Sequence, residues 1–120
     1  MQSGASSPSR GEIWLVDLNP TRGHEQKGFK RPSLIVSANG LNSSHAGLAI
    51  VLPITKTIRD IPFHVRVTPR ESGLDFESSI MCEQVRAISK DRLIKRIGQR
   101  MTPKIMLAIE DKLKILLNLK

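Results

Sequence analysis

Between Asn19 and Pro32 the chain gathers Arg22, His24, Glu25, Gln26, Lys27, Lys30 and Arg31, a carboxylate and an imidazole among cations. Such groups can cut an RNA phosphodiester without a metal. A base takes the 2′-hydroxyl proton, an acid protonates the leaving 5′-oxygen, and cations hold the charge that builds on the phosphate. Glu25 is the candidate base and Arg31 the candidate clamp, because a guanidinium stays charged and binds phosphate through several donors. A surface ion pair with Lys27 or Arg22 is the competing use of Glu25. Thr55 follows Pro53 closely at the end of an apolar segment, where its hydroxyl can meet a phosphate oxygen or simply end a strand. Imidazole as a class titrates near neutrality, which singles out His64 on the polar side of a predicted strand, against the plain reading of a surface histidine. Cys82 lacks the setting of a nucleophile and reads as a buried, inert thiol.

The elements around that loop must position these groups. A polar loop of this length is uncommon in a compact domain and often functional. Glu12 to Leu18, rich in β-branched and aromatic residues, predicts the strand before it. Ser33 to Ser37 predicts a strand buried on both faces, and Asn39 to Gly47 a second loop. Leu48 to Thr55 is a third strand that must end, bulge or lie at an edge at Pro53, which has no N–H to donate. Phe63 to Val67 alternates with the two-residue period of a half-buried strand, putting His64 and Arg66 on its polar face. Ser79 to Ile88 predicts another β segment, Lys90 to Leu93 a helical turn, and Ile94 to Ile97 a last strand.

Thr102-Pro103 combines a hydroxyl cap with a proline at the first helical position. Ile105, Ile109, Leu113 and Leu116, widened by Met106 and Leu117, then make an amphipathic stripe, with Glu110 and Lys114 in the favourable order on its flank. The connections are too short for crossover helices. The expectation is a single domain over residues 11–120, a small and mostly antiparallel barrel with a C-terminal helix, behind a flexible Ser-rich leader over residues 1–10.

Composition narrows the classes further. A chain of 120 residues with 39% hydrophobic residues can bury roughly two-thirds of its unfolded surface and needs no disulfide or structural metal. One cysteine and three widely spaced histidines supply no recognisable metal cluster, so no cofactor or metal is expected. No apolar run can span a bilayer and the leader is no signal peptide, which predicts a reduced cytoplasm and no membrane partner. The formal net charge of +8 favours polyanions. Arg86, Lys90, Arg92, Lys95, Arg96, Arg100 and Lys104, opposed only by Asp91, form a basic stripe that is either a solvated face or a nucleic-acid grip. Aromatic residues are only 3% of the chain, too few for a bed of stacked bases.

Gly11-Glu12-Ile13-Trp14, Asp17, Asn19-Pro20, Gly23-His24-Glu25-Gln26 and Arg31-Pro32 together resemble the N-terminal signature of the MazF/PemK family of toxin endoribonucleases. The likeness continues through Pro53-Ile54-Thr55, Glu83-Gln84-Val85-Arg86 and Asp91-Arg92-Leu93, and so spans the chain from Gly11 to about Leu119. The resemblance implies an SH3-like barrel of the MazF/PemK/CcdB-like type. It implies a homodimer that cuts single-stranded mRNA at a short sequence, without ribosome or metal, leaving a 2′,3′-cyclic phosphate and a 5′-hydroxyl. The arginine of Arg-Pro and the threonine of Pro-x-Thr are the family's catalytic pair, which implies Arg31 and Thr55, with Glu25 contributing. Gln84 falls where the family contacts RNA, and Lys30, His24, Lys56, His64 and Arg86 are further candidate contacts. His24 stands where many members have serine. The resemblance also implies a cognate antitoxin whose acidic, disordered C-terminal segment lies over the RNA groove, a coupled folding and binding event suited to a basic partner. A non-catalytic nucleic-acid-binding barrel and a gyrase-poisoning toxin of the same fold are the alternatives.

Overall fold

The computed structural model describes residues 7–26 and 30–120, so most of the predicted leader, with Lys27 and Phe29, lies outside the described residues. Seven strands form the sheet: β1 (Ile13–Val16), β2 (Arg31–Ile35), β3 (Leu48–Thr55), β4 (His64–Val67), β5 (Ser78–Met81), β6 (Arg86–Ser89) and β7 (Leu93–Ile97). Three helices punctuate them: α1 (Asn39–Asn42), α2 (Pro69–Ser72) and α3 (Pro103–Leu117). The strand order is β4-β5-β3-β2-β1-β7, with β6 also paired to β3, and every ladder is antiparallel.

The sheet stays open where a barrel was expected: among the described residues no ladder joins β4 to β7. The chain leaves β4 directly for α2, and α2 meets the end of β7 through the Gln99 N–H donating to Ser72 O at 2.8 Å. That approach requires Gly98, whose φ is +61° and whose absent side chain leaves room for Ser72 O; a Cβ there would lie 2.5 Å from that oxygen.

Both central strands are covered on both faces, as the apolar run in β2 predicts. Leu34, Val36, Leu52 and Ile54 face one cluster together with Cys82, Ile105 and Ile109, beneath α3. Ile35 and Val51 face the other, with Trp14, Val16 and Ile88. α3 begins as its sequence dictates: the Thr102 side chain accepts from Ile105 N–H and Pro103 opens the first turn. Ile105, Met106 and Ile109 are buried, but Leu117, expected to widen the stripe, is 52% exposed. Glu110 pairs with Arg10 at 2.7 Å rather than with Lys114. Arg10 also donates to Val36 O, and its N–H to Asn39, so this end of the predicted leader is held against the body.

The predicted β segment from Ser79 to Ile88 divides in two. β5 ends at Met81, Cys82–Gln84 make a single 3-10 turn, and β6 starts at Arg86. Pro53 explains the division. One side of β3 pairs with β6 as far as Val51 and with β5 from Ile54 onward. The proline sits at the change of partner, where a missing donor costs nothing. The strand neither ends nor lies at an edge there.

Candidate active site

A second proline shapes the other side of β3. Val36 N–H donates to Ile50 O at 2.9 Å, and the register Leu34 to Leu52 and Ser33 to Pro53 continues from it. Hydrogen-bonded pairs alternate along an antiparallel ladder, so residue 32 should donate to Ile54 O. Pro32 cannot. Arg31 Nη1 supplies that carbonyl instead, at 3.3 Å, which fixes the guanidinium at the end of the two strands. The same register, continued by two residues, sets Arg31 opposite Thr55 on one face of the sheet. Partial burial pulls the Arg31 guanidinium below its ordinary pKa, since lost water penalises the charged form.

The Thr55 hydroxyl is also held. Thr57 N–H donates to Thr55 Oγ1 at 3.1 Å, and a hydroxyl that accepts one bond keeps its own proton to donate elsewhere. Arg31 and Thr55 line two cavities together. The larger, about 430 Å³, is walled by Lys30, Pro32, Lys56, Asp75, Phe76 and Ile97 among others. The other, about 170 Å³, adds Gln26, Thr57, Arg59 and Met81. Gln26 in turn lines a third cavity of about 220 Å³ with Glu25, Glu83, Gln84 and Arg86. The three therefore share walls in series, with the arginine and threonine at the junction of two.

The structure does not bring Glu25 into either cavity that Arg31 and Thr55 line. Its carboxylate accepts from the Arg22 backbone N–H, and its own N–H donates to Arg22 O at 3.0 Å, closing a turn. The ion pair imagined with Arg22 is thus a backbone contact. Gln84 holds the loop through both ends of its amide, Oε1 accepting from Gln26 N–H at 3.1 Å and Nε2 donating to His24 O at 3.2 Å. Arg86 lines the third cavity and donates to Leu18 O at 3.2 Å. Lys30 and Lys56 both face the 430 Å³ cavity.

His64 overturns the expectation of an exposed face. Its side chain is only 5% exposed, and Nε2 meets Glu83 Oε2 at 2.9 Å. Strand alternation put it on the polar side, but the turn at Cys82–Gln84 folds Glu83 back over that side. Sequence reasoning missed Arg59, Asp75 and Phe76 as cavity walls, since each reaches the site from a segment with no motif. Gln26 was counted in the loop but not as the residue linking two cavities. The signal available for it was its place beside Glu25 in a loop that must return to Arg31.

A sequence profile described as a PemK-like, MazF-like toxin of type II toxin–antitoxin system matches residues 9–117. Endoribonuclease MazF9 of Mycobacterium tuberculosis is 35% identical over 115 residues, which is 92% of this chain and 96% of that protein. Endoribonuclease EndoA of Bacillus subtilis is 37% identical over 90 residues, 73% of this chain and 76% of that one. The crystal structure of MazF from Deinococcus radiodurans superposes with a TM-score of 0.81 at 24% identity, covering 94% of this chain and 98% of that one. A mycobacterial endoribonuclease in complex with its cognate antitoxin superposes with a TM-score of 0.76 at 27% identity, covering 94% of this chain and 97% of that one.

Proposed function

Because the chain belongs to the PemK-like, MazF-like toxins of type II toxin–antitoxin systems, whose relatives here are endoribonucleases, we propose that it cuts single-stranded mRNA at the junction held by Arg31 and Thr55. The observation that carries this reading is the pairing itself: an arginine fixed by a carbonyl that Pro32 leaves unserved, opposite a threonine hydroxyl fixed by Thr57. The 2′-oxygen attacks phosphorus as it gives up its proton, the bond to the 5′-oxygen breaks as that oxygen takes a proton from water, and the products are a 2′,3′-cyclic phosphate and a 5′-hydroxyl. Arg31 neutralises charge on the phosphate oxygens as the pentacoordinate centre forms, and the Thr55 hydroxyl donates to one of them. Glu25 lines the adjoining cavity and not the two that hold the pair, so it takes the 2′-hydroxyl proton through an intervening water. The chain acts as a cytoplasmic homodimer, without ribosome or metal, and is silenced by an antitoxin whose acidic segment covers the same cations. No helix among the described residues is long and apolar enough to cross a membrane.

The test is incubation of the full chain with a long RNA in the presence of a chelator, followed by mapping of the new 5′ ends. Cutting at one short sequence is expected. Arg31→Ala should lower the rate by about a thousandfold, the scale of losing one preorganised charge donor, while circular dichroism stays native. Glu25→Gln should lower kcat more than it raises KM. Unchanged cutting by Arg31→Ala would remove the mechanism.

A further inference from the structure

The sequence contains four aromatic residues, Trp14, Phe29, Phe63 and Phe76. Trp14 is buried and Phe63 half-buried, yet Phe76 turns 60% of its surface to solvent on the wall of the 430 Å³ cavity. The Lys56 ammonium lies 5.1 Å from the centre of its ring. Lys56 follows Thr55 directly, so a flat apolar face and a cation stand together beside the hydroxyl assigned to the phosphate. A base stacks on such a ring whatever its identity, and an ammonium draws the adjoining phosphate. Asp75, on the same wall, offers carboxylate oxygens that suit bases with an exocyclic amino group.

The segment carrying these residues is anchored at both ends. Gln99 Nε2 donates to Arg70 O at 2.6 Å and Glu71 O at 3.0 Å, its N–H donates to Ser72 O, and Gly73 and Gly98 meet too closely for side chains. On the far side Ser78 Oγ donates to Phe76 O at 2.9 Å. A platform fixed before binding loses little freedom when a ligand arrives.

We propose that this cavity seats one nucleobase of the RNA beside the scissile phosphate, stacked on Phe76 and read at its edge by Asp75. The assignment rests on the endoribonuclease reading and adds to it a base-selecting subsite on the side of the catalytic pair away from Glu25. Lys56 anchors the phosphate of that nucleotide, and Phe76 contributes affinity and selection without touching the reacting atoms.

The experiment compares wild type with Phe76→Leu, Phe76→Tyr and Asp75→Asn. It uses cleavage of an oligoribonucleotide carrying the mapped site, end mapping on a long transcript, and binding of the same oligonucleotide fully 2′-O-methylated, which cannot be cut. Phe76→Leu keeps apolar bulk but loses the π-face; it should raise KM, and weaken binding of the methylated strand, by about tenfold. Its effect on kcat should be much smaller, and Phe76→Tyr should restore wild-type values. Asp75→Asn should change the base preferred at one position next to the cut. Unaltered KM, binding and site preference in Phe76→Leu would overturn the subsite, as would a loss explained by a changed oligomeric state in sedimentation. If wild type fails to cut but binds the methylated strand, and Phe76→Leu binds it about tenfold more weakly, the cleavage reading falls while the subsite stands. If wild type neither cuts nor binds, both fall.

Discussion

Two groups of cations in this chain do opposite things. The stripe from Arg86 to Lys104 is the densest run of charge in the sequence, yet most of it is tied down. Arg86 holds Leu18 O, Arg92 holds Asp17 O and Asn19 O, and Lys90 donates to Asn42 O at 2.8 Å. Arg96 and Arg100 converge on Glu12 at 3.0 and 3.4 Å. Lys30, Arg31, Lys56 and Arg59, scattered over the sequence, instead gather around cavities at the ends of β2 and β3. Density along a chain measures how many charges a segment carries; what they face is decided by where strands end. The basic run is therefore largely a set of props for the two ends of β1 and for α1, and the sparse set makes the candidate site.

The sharpest way to break that contrast is to remove the carboxylate on which the stripe converges. Glu12 is buried, and its Oε1 also accepts from the Trp14 indole at 3.0 Å and from Ser9 N–H at 2.8 Å. Glu12→Ala leaves a buried indole donor without an acceptor and two guanidiniums without a counter-charge. The expected cost is about 2–4 kcal/mol, read as a drop in melting temperature of roughly 10 °C. A variant that melts with wild type would mean the stripe is not structural. A smaller effect separates the two groups in function. Lys56→Gln should raise KM for RNA several-fold, roughly the loss of one phosphate contact, and flatten the salt dependence of binding. Lys95→Gln, in the stripe but lining none of the three cavities, should leave both within about twofold of wild type, the scale of a screened surface charge. Equal losses in the two variants would erase the distinction.

Much of the fold was legible because it rests on local rules. β3 has its predicted bounds, and Thr102-Pro103 starts α3 where a cap and a first-turn proline must. Arg31 and Thr55 were legible as types at the ends of apolar runs. That they oppose each other follows only from the β2–β3 register, which no local pattern encodes. The open sheet, the burial of His64 under Glu83 and the wall made by Asp75 and Phe76 depend on contacts between segments far apart in the chain. The alternation that put His64 outward is a statement about one strand, and a turn from elsewhere reversed it.

The smallest effect tests burial itself, which acts on two groups with opposite consequences. At Arg31 it disfavours the protonated, charged form and pulls the pKa down; at Cys82 it disfavours the thiolate and pushes the thiol from 9.0 up to about 12, with Glu83 adding to the rise and Lys112 opposing it. Cys82 lies wholly within the cluster beneath α3. Between 9.0 and about 12 the unfolded chain gives up this proton while the folded chain keeps it, so the folded state loses stability as pH rises through that window. Below the window both states hold the proton and the contribution is complete. Denaturant midpoints measured at increasing alkaline pH should therefore fall more steeply for wild type than for Cys82→Ala, by a slope of at most about one proton. Parallel slopes would place the thiol in contact with water and remove it from the dry core. Native Cys82 should also resist an aromatic disulfide reagent until denaturant is added, because only the thiolate attacks and the folded chain withholds it. Arg31 differs in keeping an open side toward the cavities, so it meets a phosphate only partly desolvated, while the thiol beneath α3 meets nothing.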